Sequence, residues 1–196
     1  MSPFIETIRI ENGRIYNLPY HNRRMNETRQ SVLHQTGTLD LSDYIQPGNY
    51  RERTKCRVEY DKDILKVEYA AYHIRPVSSL RLVTGDEAAY RYKSTDRSVL
   101  NRLFALREAE DDVLILRGGL LTDTSICNLA LWNGQQWVTP SVPLLAGTKR
   151  ASLLDQGKIV TGDIRPDDLP GYSRIRLFNA MVEFGEIDLS VDKIVL

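Results

Sequence analysis

Residues 4–18 alternate apolar and polar side chains and break at Asn12-Gly13, the dipeptide that most strongly signals a two-residue hairpin turn. A period of two commits this stretch to antiparallel strands, since a helix would scatter the same side chains around its circumference. Phe4, Glu6, Ile8 and Ile10 share one face, and Glu6 is out of place on a strand that faces a core. The pattern returns in Cys56-Arg57-Val58-Glu59-Tyr60 and in residues 64–69, which flank Asp61-Lys62-Asp63 as a second hairpin. Between them, His21 to Gln35 reads as a helix with Met25, Val32 and Leu33 on its apolar face and Gly37 as its stop. A short helix is expected at Leu41–Ile45, ahead of Pro47-Gly48. Residues 1–75 therefore read as one α+β unit, an antiparallel sheet carrying helices.

Pro76 to Ser79 is the expected linker to a second unit, residues 80–196. Strands are expected at Leu80–Thr84, Val113–Arg117, Leu121–Thr124, Cys127–Trp132, Gln136–Val138, Arg174–Phe178 and Ile187–Leu196. A helix is expected at Arg97–Ala109, burying Val99, Leu100, Leu103 and Leu106. A second opens at Gly147-Thr148, runs through Leu154 and is stopped by Gly157. This half is α+β as well. No repeat or low-complexity tract interrupts it.

Composition narrows the partners. Twenty-six basic residues balance 26 acidic ones, which removes the electrostatic footprint of a nucleic-acid binder or a polybasic membrane binder. No apolar run approaches the length of a membrane span, and Met1-Ser2-Pro3-Phe4-Ile5-Glu6 lacks the basic and apolar regions of a secretory leader. Cys56 and Cys127 stand singly in apolar strands and read as buried free thiols, and no metal-ligand spacing is present. A cytoplasmic protein is expected.

The chemistry is concentrated in an ordered series. Lys93 comes first, in Tyr90-Arg91-Tyr92-Lys93-Ser94-Thr95-Asp96-Arg97. Next is Gly119-Leu120-Leu121-Thr122-Asp123-Thr124-Ser125-Ile126-Cys127-Asn128, then Thr139-Pro140, then Gly147-Thr148-Lys149-Arg150. A lysine, a carboxylate and a Gly-Thr helix entry can hold an aldehyde cofactor that carries a phosphate. The lysine amine must become neutral to react, which cationic neighbours such as Arg91 and Arg97 favour. A phosphate dianion is matched by backbone N–H groups at a helix start and by a guanidinium.

The series resembles the fold-type IV pyridoxal-phosphate enzymes: branched-chain and D-amino-acid aminotransferases and aminodeoxychorismate lyase. Phe4-Ile5-Glu6-Thr7-Ile8-Arg9 is similar to the lyases' Phe-Glu-Thr-Ile-Arg. His21-Asn22-Arg23-Arg24-Met25 is similar to His-x-x-Arg-(Leu/Met), whose arginine clamps the cofactor phosphate. The family's Gly-x-(Val/Leu)-Thr-Glu-x-x-x-x-Asn appears here with Asp123 for glutamate, one methylene shorter. Its Gly-Ile-Thr-Arg appears as Gly147-Thr148-Lys149-Arg150, with the threonine moved one place. Phe178-Asn179-Ala180-Met181 is similar to the segment that closes the phosphate cup.

The resemblance implies an N-terminal α+β unit and a C-terminal barrel-like α+β unit, a pyridoxal 5'-phosphate cofactor lying between them, and a homodimer. It gives Lys93 the covalent attachment and the proton transfers, and Asp123 the ring nitrogen. Arg24, Gly147, Thr148, Asn179 and Ala180 fall to the phosphate. Substrates are carboxylate-bearing amines, and Arg57 lies where the lyases place the arginine that binds such a carboxylate; Arg91 and Arg97 are its rivals. The short chain and its opening motif favour the lyase reaction, 4-amino-4-deoxychorismate to 4-aminobenzoate and pyruvate in folate synthesis. An amino-acid aminotransferase and a degenerate, non-catalytic cofactor-binding protein are the alternatives.

Overall fold

In the computed structural model, residues 3–196 are described; Met1 and Ser2, at the head of the segment read for a leader, lie outside them. Two compact units form. Of the described residues, one comprises 3–74 and 92–96, the other 75–91 and 97–196. Lys93 therefore folds with the first unit, whereas the sequence had suggested the second.

In the first unit, β1 (Phe4–Glu11) turns through Asn12-Gly13, both at positive φ, into the short β2 (Arg14–Ile15). Helix α1 (Leu18–Leu33) follows, opened by a proline in its first turn. It ends two residues early because His34 takes the left-handed conformation expected of Gly37. The expected helix near Leu41 is a single 3-10 turn, Leu41–Asp43, capped by the Asp40 carboxylate. Strands β3 (Thr54–Tyr60) and β4 (Ile64–Ala71) complete an antiparallel sheet of order β2-β1-β3-β4. Phe4, Ile8 and Ile10 of β1 and Cys56, Val58 and Tyr60 of β3 form its core with Met25 of α1 and Leu41. Residues 92–96 return to the open edge of β1. There the Ile5 N–H donates to the Lys93 carbonyl at 2.8 Å, Ser94 bridges to Phe4, and Tyr92 packs edge-on against the Phe4 ring.

The second unit begins with β5 (Leu80–Thr84), helix α2 (Ser98–Ala105) and β6 (Asp112–Arg117). The helix serves as the crossover that parallel β5 and β6 require. Helix α2 is shorter than expected because the chain leaves it at Leu106 and turns at Glu108, at positive φ. Leu106 is thereby 51% exposed instead of buried. Strands β7 (Leu120–Thr124), β8 (Asn128–Trp132) and β9 (Trp137–Pro140), helix α3 (Thr148–Asp155), β10 (Val160–Gly162), β11 (Arg174–Phe178), β12 (Ile187–Ser190) and β13 (Ile194–Val195) follow. They make two mixed sheets, ordered β13-β5-β6-β7 and β10-β9-β8-β11-β12. The expected last strand is split: a 3-10 turn at Val191–Lys193 carries the chain from β12 in one sheet to β13 in the other. Strand β10 and the 3-10 turn Pro166–Gly171 carry no clear periodicity and were not expected. Cys56 and Cys127 are buried and free, and burial pushes both thiols up to about 12. Among the described residues no helix is long and apolar enough to cross a membrane.

Candidate active site

In the first unit the misplaced Glu6 is the anchor. It sits fully buried on the core face of β1, where alternation calls for an apolar side chain. Helix α1 supplies its partners. His21 and Arg24 are three residues apart, so they share a helix face. Arg24 grips both carboxylate oxygens, Nε to Oε1 at 2.8 Å and Nη2 to Oε2 at 2.6 Å, and His21 Nδ1 lies 2.6 Å from Oε2. Burial opposes charge on Glu6, but the Arg24 charge and the His21 hydrogen bond outweigh it and hold the carboxyl down at about 2. Burial lowers the His21 pKa; Glu6 opposes that, while the Arg24 and Lys93 charges add to it. The imidazole is thus held neutral beside the two cations. Tyr60, on β3, is also fully buried, and its hydroxyl has no hydrogen-bond partner among the described residues. Thr28 is near enough to affect its titration, yet the Thr28 hydroxyl donates to the Arg24 carbonyl.

In the second unit Asp123, on β7, is buried with both oxygens engaged. Oδ1 accepts from Asn128 Nδ2 at 2.8 Å and Oδ2 from the Leu145 N–H at 2.9 Å. Asn128, the first residue of β8, also donates to the Leu145 carbonyl at 2.9 Å. It therefore ties the carboxylate to the loop that enters α3. Gly147 caps that helix with φ −68°, an ordinary value, so its need for glycine is steric: a Cβ there would overlap Asn128 Oδ1. Burial raises the Asp123 pKa to about 6, against the Leu145 and Asn128 hydrogen bonds and the Arg150 charge. Arg150 itself is buried and donates to the Pro140 carbonyl at 2.8 Å and to Thr139 Oγ1 at 3.3 Å. Its guanidinium therefore fastens α3 to the end of β9.

The Asn179 side chain holds its own turn, accepting from the Met181 and Val182 N–H groups and donating to the Ile126 carbonyl and the Cys127 sulfur. The Asn179 N–H is spent on the Val182 carbonyl. Among the described residues no backbone carbonyl accepts from the Ala180 N–H.

The structure thus gathers the expected residues into two clusters, one per unit. Arg24 and Lys93 stand with Glu6 and His21; Asp123, Gly147, Thr148, Asn179 and Ala180 stand around the 123–128 turn. Arg57 joins neither. It faces the opposite side of the β1–β3 sheet from Glu6, pairing in register with Thr7, and Glu59 and Glu68 hold its Nη1 at 2.7 and 3.3 Å. Glu6 and His21 were not expected at the site. A charged residue on a core face, with a His and an Arg at helical spacing downstream, is the signal that identifies them.

This arrangement has relatives. The family model described as amino-transferase class IV matches residues 57–188, more than half of the chain. The chain belongs to the amino-transferase class IV family. A crystal structure of a candidate 4-amino-4-deoxychorismate lyase from Haemophilus somnus 129PT is 35% identical, with a TM-score of 0.87, covering 93% of this chain and 97% of that one. An uncharacterised Haemophilus influenzae protein is 34% identical over 92% of this chain and 98% of its own length. A candidate aminodeoxychorismate lyase from Schizosaccharomyces pombe is 26% identical over 86% of this chain and 81% of its own. Members of this family are pyridoxal-phosphate-dependent lyases and aminotransferases, and this chain is an enzyme of that kind.

The residues present fit such a cofactor. The space beside Asn128 that a Cβ would fill is kept by Gly147, at the start of a helix whose first amides lack intrahelical acceptors. Each unit carries groups of the kind such a cofactor needs: in the first, a guanidinium fixed by a buried glutamate and a lysine beside a neutral imidazole; in the second, a buried carboxylate.

Proposed function

We propose that this enzyme is a lyase that converts 4-amino-4-deoxychorismate to 4-aminobenzoate and pyruvate, working as a homodimer in the cytoplasm on the route to folate. The observation that carries the reaction is the 35% identity, over nearly the full length of both chains, to a structure named as a candidate lyase of that substrate. Pyridoxal phosphate, when bound, supplies an aldehyde that captures the substrate amine and a ring that accepts the electron pair of the adjacent C–H bond.

The chain's own residues do the rest. Lys93 would carry the cofactor at rest, give way to the substrate amine, and withdraw the proton from the carbon bearing that amine. Breaking the ether bond to the pyruvyl group then leaves an aromatic ring, and the Lys93 ammonium is the acid that returns a proton to the departing group. Asp123, ionised above pH 6, would hold the ring-nitrogen proton in place. It is a methylene shorter than the family's glutamate, and its bonds to Asn128 and Leu145 fix its position. Arg24, oriented by Glu6, and the amides of Thr148, Lys149 and Ala180 would bind the phosphate.

The test supplies 4-amino-4-deoxychorismate to the holoenzyme and follows 4-aminobenzoate and pyruvate. Separate tubes offer D- and L-amino acids with 2-oxoglutarate. Equimolar aminobenzoate and pyruvate are expected; amino transfer without aminobenzoate would make this member an aminotransferase. A purified protein that stays colourless with added cofactor would make it a degenerate one.

A further inference from the structure

We propose that Arg97 binds the substrate carboxylate, the role the family resemblance gives to Arg57; the inference rests on the functional reading above and adds its specificity residue. Arg57 is poorly placed for the task, because a substrate carboxylate there would compete with Glu59 and Glu68. Most other arginines of the second unit that lie near carboxylates are likewise committed: Arg75 to Asp112, Arg102 to Glu87, and Arg174 and Arg176 to Asp188. Arg97 differs. Among the described residues no carboxylate pairs with it.

Its guanidinium is nevertheless held in place. Nη2 donates to the Ser125 carbonyl at 2.7 Å, Nη1 lies 3.4 Å from the Tyr90 hydroxyl, and the group sits 5.6 Å from the Tyr90 ring centroid. Such contacts orient a cation without neutralising it. A half-buried guanidinium that keeps its charge and most of its five N–H donors is prepared to take a carboxylate in a two-pronged hydrogen bond. Its position suits the reaction. Ser125 follows Asp123 by two residues, on the turn whose carboxylate is assigned to the cofactor ring. The next side chain, Ile126, is 46% exposed and offers an apolar surface beside the charge. A flat ring bearing a carboxylate matches that pair of features: ring on Ile126, carboxylate on Arg97. Amines that lack a carboxylate would forfeit the charged contact, so the same residue sets the substrate class.

Equilibrium dialysis on the holoprotein separates this role from a structural one. The probes are 4-aminobenzoate and, as its counterpart without a carboxylate, aniline; the proteins are wild type, Arg97→Gln and Arg97→Lys. Arg97→Gln should weaken 4-aminobenzoate binding about ten- to a hundredfold, the scale of a charge-assisted bidentate contact. Aniline binding and cofactor retention should not change. Arg97→Lys keeps the charge but not the fork and should fall between; it also serves if the glutamine variant fails to fold. In steady state the loss should fall on KM with kcat nearly preserved. Equal binding of 4-aminobenzoate by wild type and Arg97→Gln would overturn the proposal. So would a loss shared equally by aniline. If wild type turns over an amino acid and not 4-amino-4-deoxychorismate, the lyase reading has failed on its own. Arg97 is then judged by that amino acid's KM, where a rise of at least tenfold supports the proposal and an unchanged value overturns it.

Discussion

Replacing Gly147 with alanine isolates one contact on which the second cluster depends. Residue 147 has φ −68°, a value alanine adopts freely, so no backbone strain enters. The added Cβ would overlap Asn128 Oδ1, and the amide must move. In moving it gives up its bond to the Asp123 carboxylate at 2.8 Å and its bond to the Leu145 carbonyl at 2.9 Å. A hydrogen bond to a charged group contributes about 1.5–3 kcal/mol and a neutral one about 0.5–1.5 kcal/mol, so the expected destabilisation is about 2–4 kcal/mol. Urea unfolding of the apoprotein measures it. The control is Asn128→Ala, which removes the obstructing amide. In that background Gly147→Ala should cost only the poorer helix cap, about 0.5–1 kcal/mol. The two substitutions should therefore be strongly non-additive. Additive costs, or a Gly147→Ala protein within about 0.5 kcal/mol of wild type by the scatter of neutral surface changes, would refute the claim that glycine is there to seat Asn128.

Asp123 titrates at about 6 in the fold and near 3.8 unfolded, so the folded state holds this proton more tightly. It contributes stability that is complete below pH 3.8 and is lost as pH rises through 6. The stability of apo wild type relative to Asp123→Asn should fall by about 2 kcal/mol between pH 4 and 7.5; a flat difference would mean that the carboxyl is not desolvated. Glu6 is the opposite case, held at about 2 against an ordinary 4.5, so its contribution is present above pH 4.5 and is lost as pH falls through 2. Glu6→Gln should destabilise the apoprotein by about 3 kcal/mol at pH 7, a deficit that shrinks on acidification, and should weaken cofactor retention along with Arg24→Ala. Cofactor held as tightly by both variants as by wild type through dialysis would remove Arg24 from the phosphate site.

Much of this was legible where local pattern and tertiary structure agree. Alternation around Asn12-Gly13 and Asp61-Lys62-Asp63 marked the first sheet, since a register error would expose Ile8, Ile10 and Val58 together. The Gly-Thr pair marked the helix entry at Gly147. What stayed hidden was set by contacts far apart in sequence. The return of residues 92–96 to the edge of β1, which moves Lys93 into the first unit, rests on two backbone bonds and a bridge to residues 3–5. Glu6 was visible as an anomaly, but its partners lie 15 and 18 residues away. Arg57 carried the lyase position without its surroundings, because the carboxylate that engages it from β4 comes from across a hairpin. The short β10 and β13 pair in parallel, where neighbours and not their own two or three residues determine the structure.

The central claim is that Lys93 carries the cofactor, and borohydride reduction of the holoprotein followed by peptide mapping tests it most directly. Reduction fixes the cofactor to whichever amine holds it. The adduct is expected on the peptide containing Tyr92-Lys93-Ser94, with none formed in Lys93→Ala. An adduct on another lysine such as Lys149, or retention of a reducible cofactor by the Lys93→Ala protein, would contradict the account.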